Sequence, residues 1–262
     1  MKEKRALFEK YKKEEHPETT KIYNEVLEIE NEVRKNLSEE IKKHIKRLQD
    51  EVERVALFAI SLAKAELNIN LNLVKPTLSN DSQTTYYNIF NPIIKQTLNK
   101  KGKDFQPIDI TIEEKPVLIT GANMAGKTVV LKTLALAQLM TQYAFFVPCK
   151  TCSISLVEEV LCSIGDNQNE NEGLSSFASE ILCLNDIIQK VKTKKRYLVL
   201  ADELARTTNP VEGIKLLNGF ISTLSLGNSL SVITTHYSNI TADCKRLRVK
   251  GFINKNLQAS IS

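Results

Sequence analysis

The chain has 262 residues, 42% of them hydrophobic and 26% charged, and a formal net charge of +5. That composition is expected of a soluble globular protein with one large domain or two small ones. No apolar run nears the ~18 residues of a membrane span, and the Lys- and Glu-rich start has no apolar signal core, so the cytoplasm is the expected compartment and no membrane partner is expected.

Lys and Arg are interleaved with almost as many Asp and Glu, the pattern of a solvated surface, so charge alone names no nucleic-acid partner. The five cysteines, an odd number, argue against a disulfide framework and predict free thiols in the core. Cys149-Lys-Thr-Cys152 lacks the second pair that a structural zinc site needs.

From Lys21 to Leu67, apolar side chains recur at Ile22, Val26, Ile29, Val33, Leu37, Ile41, Ile45, Leu48, Val52 and Val55, in steps of three and four. This is helical periodicity with no Pro or Gly to interrupt it, and it predicts one helix roughly 70 Å long. Its apolar stripe needs a partner helix. From Val55 onward the chain is apolar on most sides, which predicts burial of that end.

Asn68–Glu114 is turn-rich, punctuated by Pro76, Pro92, Gly102 and Pro107. Ser82–Phe90 and Pro107–Ile112 lean towards strand and fit an antiparallel edge layer. From Lys115, strands are predicted at Pro116–Thr120, Thr151–Ile154, Leu156–Cys162, Tyr197–Ala201, Ser229–Thr235 and Arg246–Lys250. Helices are predicted at Lys127–Tyr143, Ser175–Val191 and Pro210–Leu226. Such alternation predicts an α/β fold with a mostly parallel sheet flanked by helices. The expected division is a helical segment, residues 1–67, and an α/β domain, residues 68–262.

Between a predicted strand and a predicted helix, Gly121-Ala122-Asn123-Met124-Ala125-Gly126-Lys127-Thr128 fits the pattern G-x-x-x-x-G-K-[ST]. The glycines let backbone N–H groups wrap a phosphate chain, Lys127 reaches the β- and γ-phosphates, and the Thr128 hydroxyl suits Mg²⁺. The helix N-terminus adds unpaired donors and the positive end of its dipole. The expected ligand is a nucleotide held with Mg²⁺.

Tyr197-Leu-Val-Leu-Ala-Asp202-Glu203 is an apolar strand ending in two acids. Asp202 is placed for the metal and Glu203 for taking a proton from the attacking water, which points to hydrolysis. Ser231-Val-Ile-Thr-Thr-His236 is a further buried strand with a His at its carboxyl end, where ligands gather on open α/β sheets. His236 is therefore expected to contact the γ-phosphate.

Together these residues resemble the ATPase domain of the MutS family, a branch of the ABC-type ATPases of the P-loop class. The phosphate loop is similar to that family's G-P-N-M-x-G-K-S, Gly173-Leu-Ser-Ser-Phe-Ala-Ser-Glu-Ile181 to its G-x-S-T-F-x-x-E-M, and Thr234-Thr-His-Tyr237 to its A-T-H-Y. Phe146-Val-Pro148 and Leu200-Ala-Asp-Glu-Leu-Ala-Arg-Thr-Thr208 also look like family segments. The resemblance implies that the long helix is a lever preceding the ATPase domain. It implies Asn123 near the γ-phosphate, Phe105 stacked on adenine, and Ser175 reaching the nucleotide of an opposite subunit. The partner would then be a second MutS-like subunit, giving a homodimer or a heterodimer. Two uses follow: DNA mismatch repair, with DNA bound in a full-length context, or remodelling of a metabolic enzyme such as a cobalamin-dependent aminomutase.

Several positions depart from the family pattern. Ala122 replaces Pro, Asn91 stands where repair proteins have His, and Ala205 and Thr207 stand where D-E-x-G-R-G-T has glycines.

Overall fold

The computed structural model describes residues 2–13, 18–121, 126–165, 176–205, 208–250 and 260–261. The chain divides into two compact units, Met1–Lys64 and Ala65–Ser262.

In the first unit, helix α1 (Lys2–Lys13) lies against the start of helix α2 (Thr19–Leu71), which continues past the boundary between the units. Lys4 pairs with Glu25, Arg5 with Glu30, and the Phe8 and Tyr23 rings sit 5.2 Å apart, so the two helices run antiparallel. On α2, Ile22 and Val26 are buried. The predicted burial beyond Val55 is not met: Val55, Leu57, Phe58, Ile60 and Leu62 all stand exposed. A run apolar on most sides shows how much surface seeks cover, but it does not say what covers it.

The second unit holds two sheets. In the larger, the order is β10 (Ser260–Ile261), β9 (Lys245–Lys250), β4 (Val117–Thr120), β8 (Leu230–Thr235), β7 (Tyr197–Ala201) and β6 (Glu159–Ser163). Every pairing from β9 to β6 is parallel, and only β10 runs against its neighbour. All residues of β7 and β8 are buried, as expected of parallel strands covered on both faces.

The side-chain alternation of the strands sorts the core into two layers. Val117 and Ile119 of β4, Leu198 and Leu200 of β7, and Leu230 and Val232 of β8 face helix α4 (Lys127–Gln142) and the smaller sheet. Leu118, Val199, Ala201 and Ile233 face the other way, onto helices α5 (Ser176–Val191) and α6 (Pro210–Leu224). The result is an α/β fold with a mostly parallel sheet, as the strand–helix alternation predicts.

The smaller sheet has the order β1 (Thr77–Ser79), β5 (Thr151–Ser155), β2 (Thr84–Ile89) and β3 (Ile108–Ile112). Strand β5 corrects the sequence reading, which assigned Thr151–Ile154 to the parallel sheet. It pairs instead with β1 in parallel and with β2 antiparallel, through Thr85–Tyr87. The turn-rich segment also contains a helix, α3 (Pro92–Asn99). The Asn91 side chain accepts hydrogen bonds from the N–H groups of Ile93 and Ile94, and Pro92 occupies the first turn, where its missing N–H costs nothing. Asn91, where the repair pattern has His, is thus a buried helix cap.

Cys149 and Cys152 are buried and free. Cys162 is exposed and Cys183 and Cys244 are half-buried, so the expected core role holds for two of the five. Among the described residues no helix is long and apolar enough to cross a membrane.

Candidate functional site

The carboxyl ends of β4, β8 and β7 lie side by side, and the chain leaving them carries Gly121, His236 and Asp202 respectively. From β4 the chain passes Gly121 and reaches α4 through Gly126, whose φ of +88° is left-handed backbone open to glycine at little cost. Gly121 is tight for another reason: a Cβ there would meet Val249 of β9 at 3.3 Å. Gly126 offers no side chain to cap α4, so the first N–H groups of the helix are available to an anion.

Lys127 opens α4 and is 4% exposed. Its ammonium donates to the carbonyl of Gly121 at 2.8 Å and pairs with Oε1 of Glu203 at 3.0 Å. Thr128 donates its hydroxyl to Oδ2 of Asp202 at 2.5 Å. The other oxygen of Asp202, Oδ1, accepts the hydroxyl of Thr234, the penultimate residue of β8. The Thr234 hydroxyl also accepts the N–H of Glu203 at 3.1 Å. One buried hydroxyl thus holds both acids.

This arrangement fits Mg²⁺. A carboxylate and a hydroxyl already in contact are hard oxygen donors, and Mg²⁺ is commonly held by one or two carboxylates together with substrate phosphates. Among the described residues no group of three or more His, Cys, Asp or Glu is gathered into a metal cage, and this mode of binding needs none.

Glu203 and Ala205 both have positive φ, +48° and +60°. The turn that carries Glu203 is therefore strained, by about 1–2 kcal/mol per residue. It is held from two sides. The carboxylate of Glu180 on α5 accepts the N–H of Ala205 at 2.8 Å, and the hydroxyl of Tyr237 donates to the Ala205 carbonyl at 2.9 Å. Burial pushes the Glu180 carboxyl above its ordinary range, and the Ala205 N–H draws it part of the way back. Burial, and then the charge of Glu180, raises the Tyr237 hydroxyl.

Tyr237 reaches Ala205 only because residue 213 is glycine: a Cβ at Gly213 would lie 2.5 Å from its hydroxyl oxygen. Gly213→Ala is expected to cost about 1–3 kcal/mol, as overpacking in a tight core does. In a Tyr237→Phe background the nearest atom is gone, and the cost should fall by at least about 0.5 kcal/mol, the size at which contacting residues show coupling. Urea unfolding of the four proteins measures this, and equal costs in both backgrounds would show that the contact does not limit position 213.

His236 follows β8 with an exposed ring, 4.3 Å from the ring of Tyr237. Phe105 is half-buried in the loop before β3, in the smaller sheet, whereas the phosphate loop hangs from the larger one. Ala122, Asn123, Met124 and Ala125 lie outside the described residues, as do Ser175 and Thr207. Thr234, Glu180 and Tyr237 lie in the family-like segments, whose resemblance implies no role for them. The one sequence signal for their part in the site is position, at a strand end or on the helix of the Gly173–Ile181 segment.

A family model, MutS domain V, matches residues 117–260. Endonuclease MutS2 of Caldanaerobacter subterraneus is 32% identical over 92% of this chain and 30% of its own length. The chain belongs to the MutS family. Endonuclease MutS2 of Halothermothrix orenii is 34% identical over 79% of the chain and 25% of its own length. DNA mismatch repair protein MutS of Brevibacillus brevis is 29% identical over 88% of the chain and 27% of its own length. The chain thus spans between a quarter and a third of the relatives it matches.

Two departures from the MutS pattern acquire a structural sense. Ala205, at a glycine position, has the left-handed backbone that glycine adopts freely, and it is fully buried. Thr234, at the Ala position of A-T-H-Y, supplies the hydroxyl shared by Asp202 and the N–H of Glu203.

Proposed function

We propose that this chain is the ATP-hydrolysing module of a MutS-type protein, in which ATP state is coupled to pairing with a second MutS-like subunit. The observation that carries this reading is the meeting of two pairs distant in sequence, Lys127 with Glu203 and Thr128 with Asp202, beyond the ends of β4 and β7, the two strands that flank β8.

A triphosphate laid against the first turn of α4 takes up the Lys127 ammonium. Glu203 is thereby released from its ion pair, and its carboxylate accepts the proton of the attacking water. Thr128 and Asp202 would hold Mg²⁺, which when bound neutralises charge on the phosphate oxygens. His236, at the rim of the same strand ends, contacts the γ-phosphate, with Asn123 beside it and Phe105 against the base. Ser175 reaches the nucleotide of the opposite subunit, so a complete site requires two chains. Within a longer protein this cycle would drive a rearrangement on DNA, with α2 as the lever. The names of the relatives, endonuclease and DNA mismatch repair protein, support that reading.

The test is calorimetric titration with ATP, followed by phosphate release, each with Mg²⁺ and with a chelator. Mg²⁺-dependent binding and slow turnover are expected. No binding at millimolar ATP would sink the proposal.

A further inference from the structure

Asp202 is held by three neighbouring elements. Its N–H donates to the carbonyl of Ser163, the last residue of β6, at 2.8 Å. Its side-chain oxygens are then taken by different partners: Oδ2 by the Thr128 hydroxyl on α4 at 2.5 Å, and Oδ1 by the Thr234 hydroxyl on β8. Thr234 is fully buried and pairs across the sheet with Ile119 of β4. Oδ1 is therefore the oxygen committed to the sheet, and Oδ2 the one at the opening of α4, where phosphates would lie.

The Thr234 hydroxyl is also fixed in place. A β-branched side chain has few χ1 wells to choose from. The same oxygen accepts the Glu203 N–H at 3.1 Å, so turning the side chain breaks two bonds at once.

A carboxylate with one oxygen so committed discriminates between cations. Ca²⁺ takes about six to eight oxygens and accepts a carboxylate through one oxygen or both. Mg²⁺ is smaller, demands near-octahedral geometry, and is commonly held through single carboxylate oxygens together with water and phosphate. We propose that Thr234 is a specificity-determining residue for the cation: by occupying Oδ1 it restricts Asp202 to ligation through Oδ2, and so favours Mg²⁺ over Ca²⁺. The inference rests on the reading of Thr128 and Asp202 as the holders of the cation, and it adds the reason for the choice of ion. The A-T-H-Y pattern has no hydroxyl at this position, so this means of selection belongs to chains that carry one there.

The backbone lets the effect be isolated. The Glu203 N–H also donates to the Thr234 carbonyl at 3.1 Å, a bond that a change of side chain at 234 leaves in place. Loss of the hydroxyl thus frees Oδ1 while the Glu203 N–H keeps a partner.

The test is calorimetric titration of the 262-residue chain with a non-hydrolysable ATP analogue, in Mg²⁺, in Ca²⁺ and with a chelator. The parent should bind the analogue more tightly with Mg²⁺ than with Ca²⁺. In Thr234→Val, close to threonine in size, that ratio of affinities should fall about three- to tenfold, the range of one net hydrogen bond. Thr234→Ala should shift the ratio as far, although it packs differently, and Thr234→Ser should keep most of the parent's preference. Loss of packing alone would weaken binding with both cations together and leave the ratio unmoved; thermal unfolding establishes that each variant is folded. A parent that binds with Mg²⁺ but no better than with Ca²⁺, a ratio unchanged in the Val and Ala variants, or an equal fall in the Ser variant would each overturn this inference alone. Binding by the parent that is indifferent to the chelator would overturn it together with the assignment of the cation site.

Discussion

Glu203→Gln should bind ATP at least as tightly as the parent and hydrolyse it about 10²- to 10⁴-fold more slowly, the usual contribution of a general base. The two halves of this expectation have different origins. Turnover falls because an amide cannot accept a proton. Affinity holds or rises because the Glu203 carboxylate, 3.0 Å from the Lys127 ammonium, competes with phosphate for the same cation. Replacing it with an amide removes the competitor's charge. Single-turnover phosphate release and calorimetric titration separate the effects. Turnover equal to the parent would remove Glu203 as the base. Weaker ATP binding would show that its ion pair organises the site instead of opposing the ligand.

Lys127→Ala should weaken ATP binding by about 10- to 150-fold, the equivalent of the 1.5–3 kcal/mol typical of one charge-assisted hydrogen bond. The ammonium is almost fully buried and, among the described residues, contacts Gly121 and Glu203. The variant therefore also leaves Glu203 facing a site without its cation, and a loss of fold stability is expected alongside the loss of affinity. Adding Glu203→Gln should restore most of the stability and none of the affinity, because the amide carries no charge to be balanced while the phosphates still lack their cation. Thermal unfolding and ATP titration of the single and double variants check both parts. Recovery of affinity in the double variant would place the phosphate charge on some other residue.

The parallel sheet was legible because its central strands are buried on both faces. Tyr197–Ala201 is a continuous apolar run closed by charge, and its bounds in the structure are those read from the sequence. Lys127 likewise marks the start of α4 because the glycine before it cannot extend the helix backwards. Where tertiary contacts decide, the sequence was less informative. The alternation within Thr151–Ser155 identifies a strand but not which sheet it joins, since that depends on hydrogen bonds to residues more than sixty positions away. Helix α3 was hidden by its surroundings, although Asn91-Pro92 is a cap followed by a first-turn proline and could have been read as a helix start. The motifs brought Lys127, Thr128, Asp202 and Glu203 into one site on paper, and the structure brings the same four side chains into contact. The supports of that site left weaker traces. Glu180 and Tyr237 act on the backbone of residue 205, so nothing in the side chain at 205 announces them.

That attachment to backbone bears on how this turn can drift over generations. Because Glu180 and Tyr237 hold an N–H and a carbonyl, residue 205 can change its side chain without breaking either link, and proline alone would remove the donor. The left-handed φ then narrows the tolerated set to small residues or those at ease in that region, glycine and asparagine first. Alanine at a glycine position is thus a substitution the fold can absorb, with the geometry of Glu203 two residues upstream insulated from it. Glu180, Tyr237 and Gly213 have no such latitude, since each is engaged through its own side chain or through the lack of one. Among descendants of this sequence, variation should therefore collect at 205 and be scarce at 180, 213 and 237.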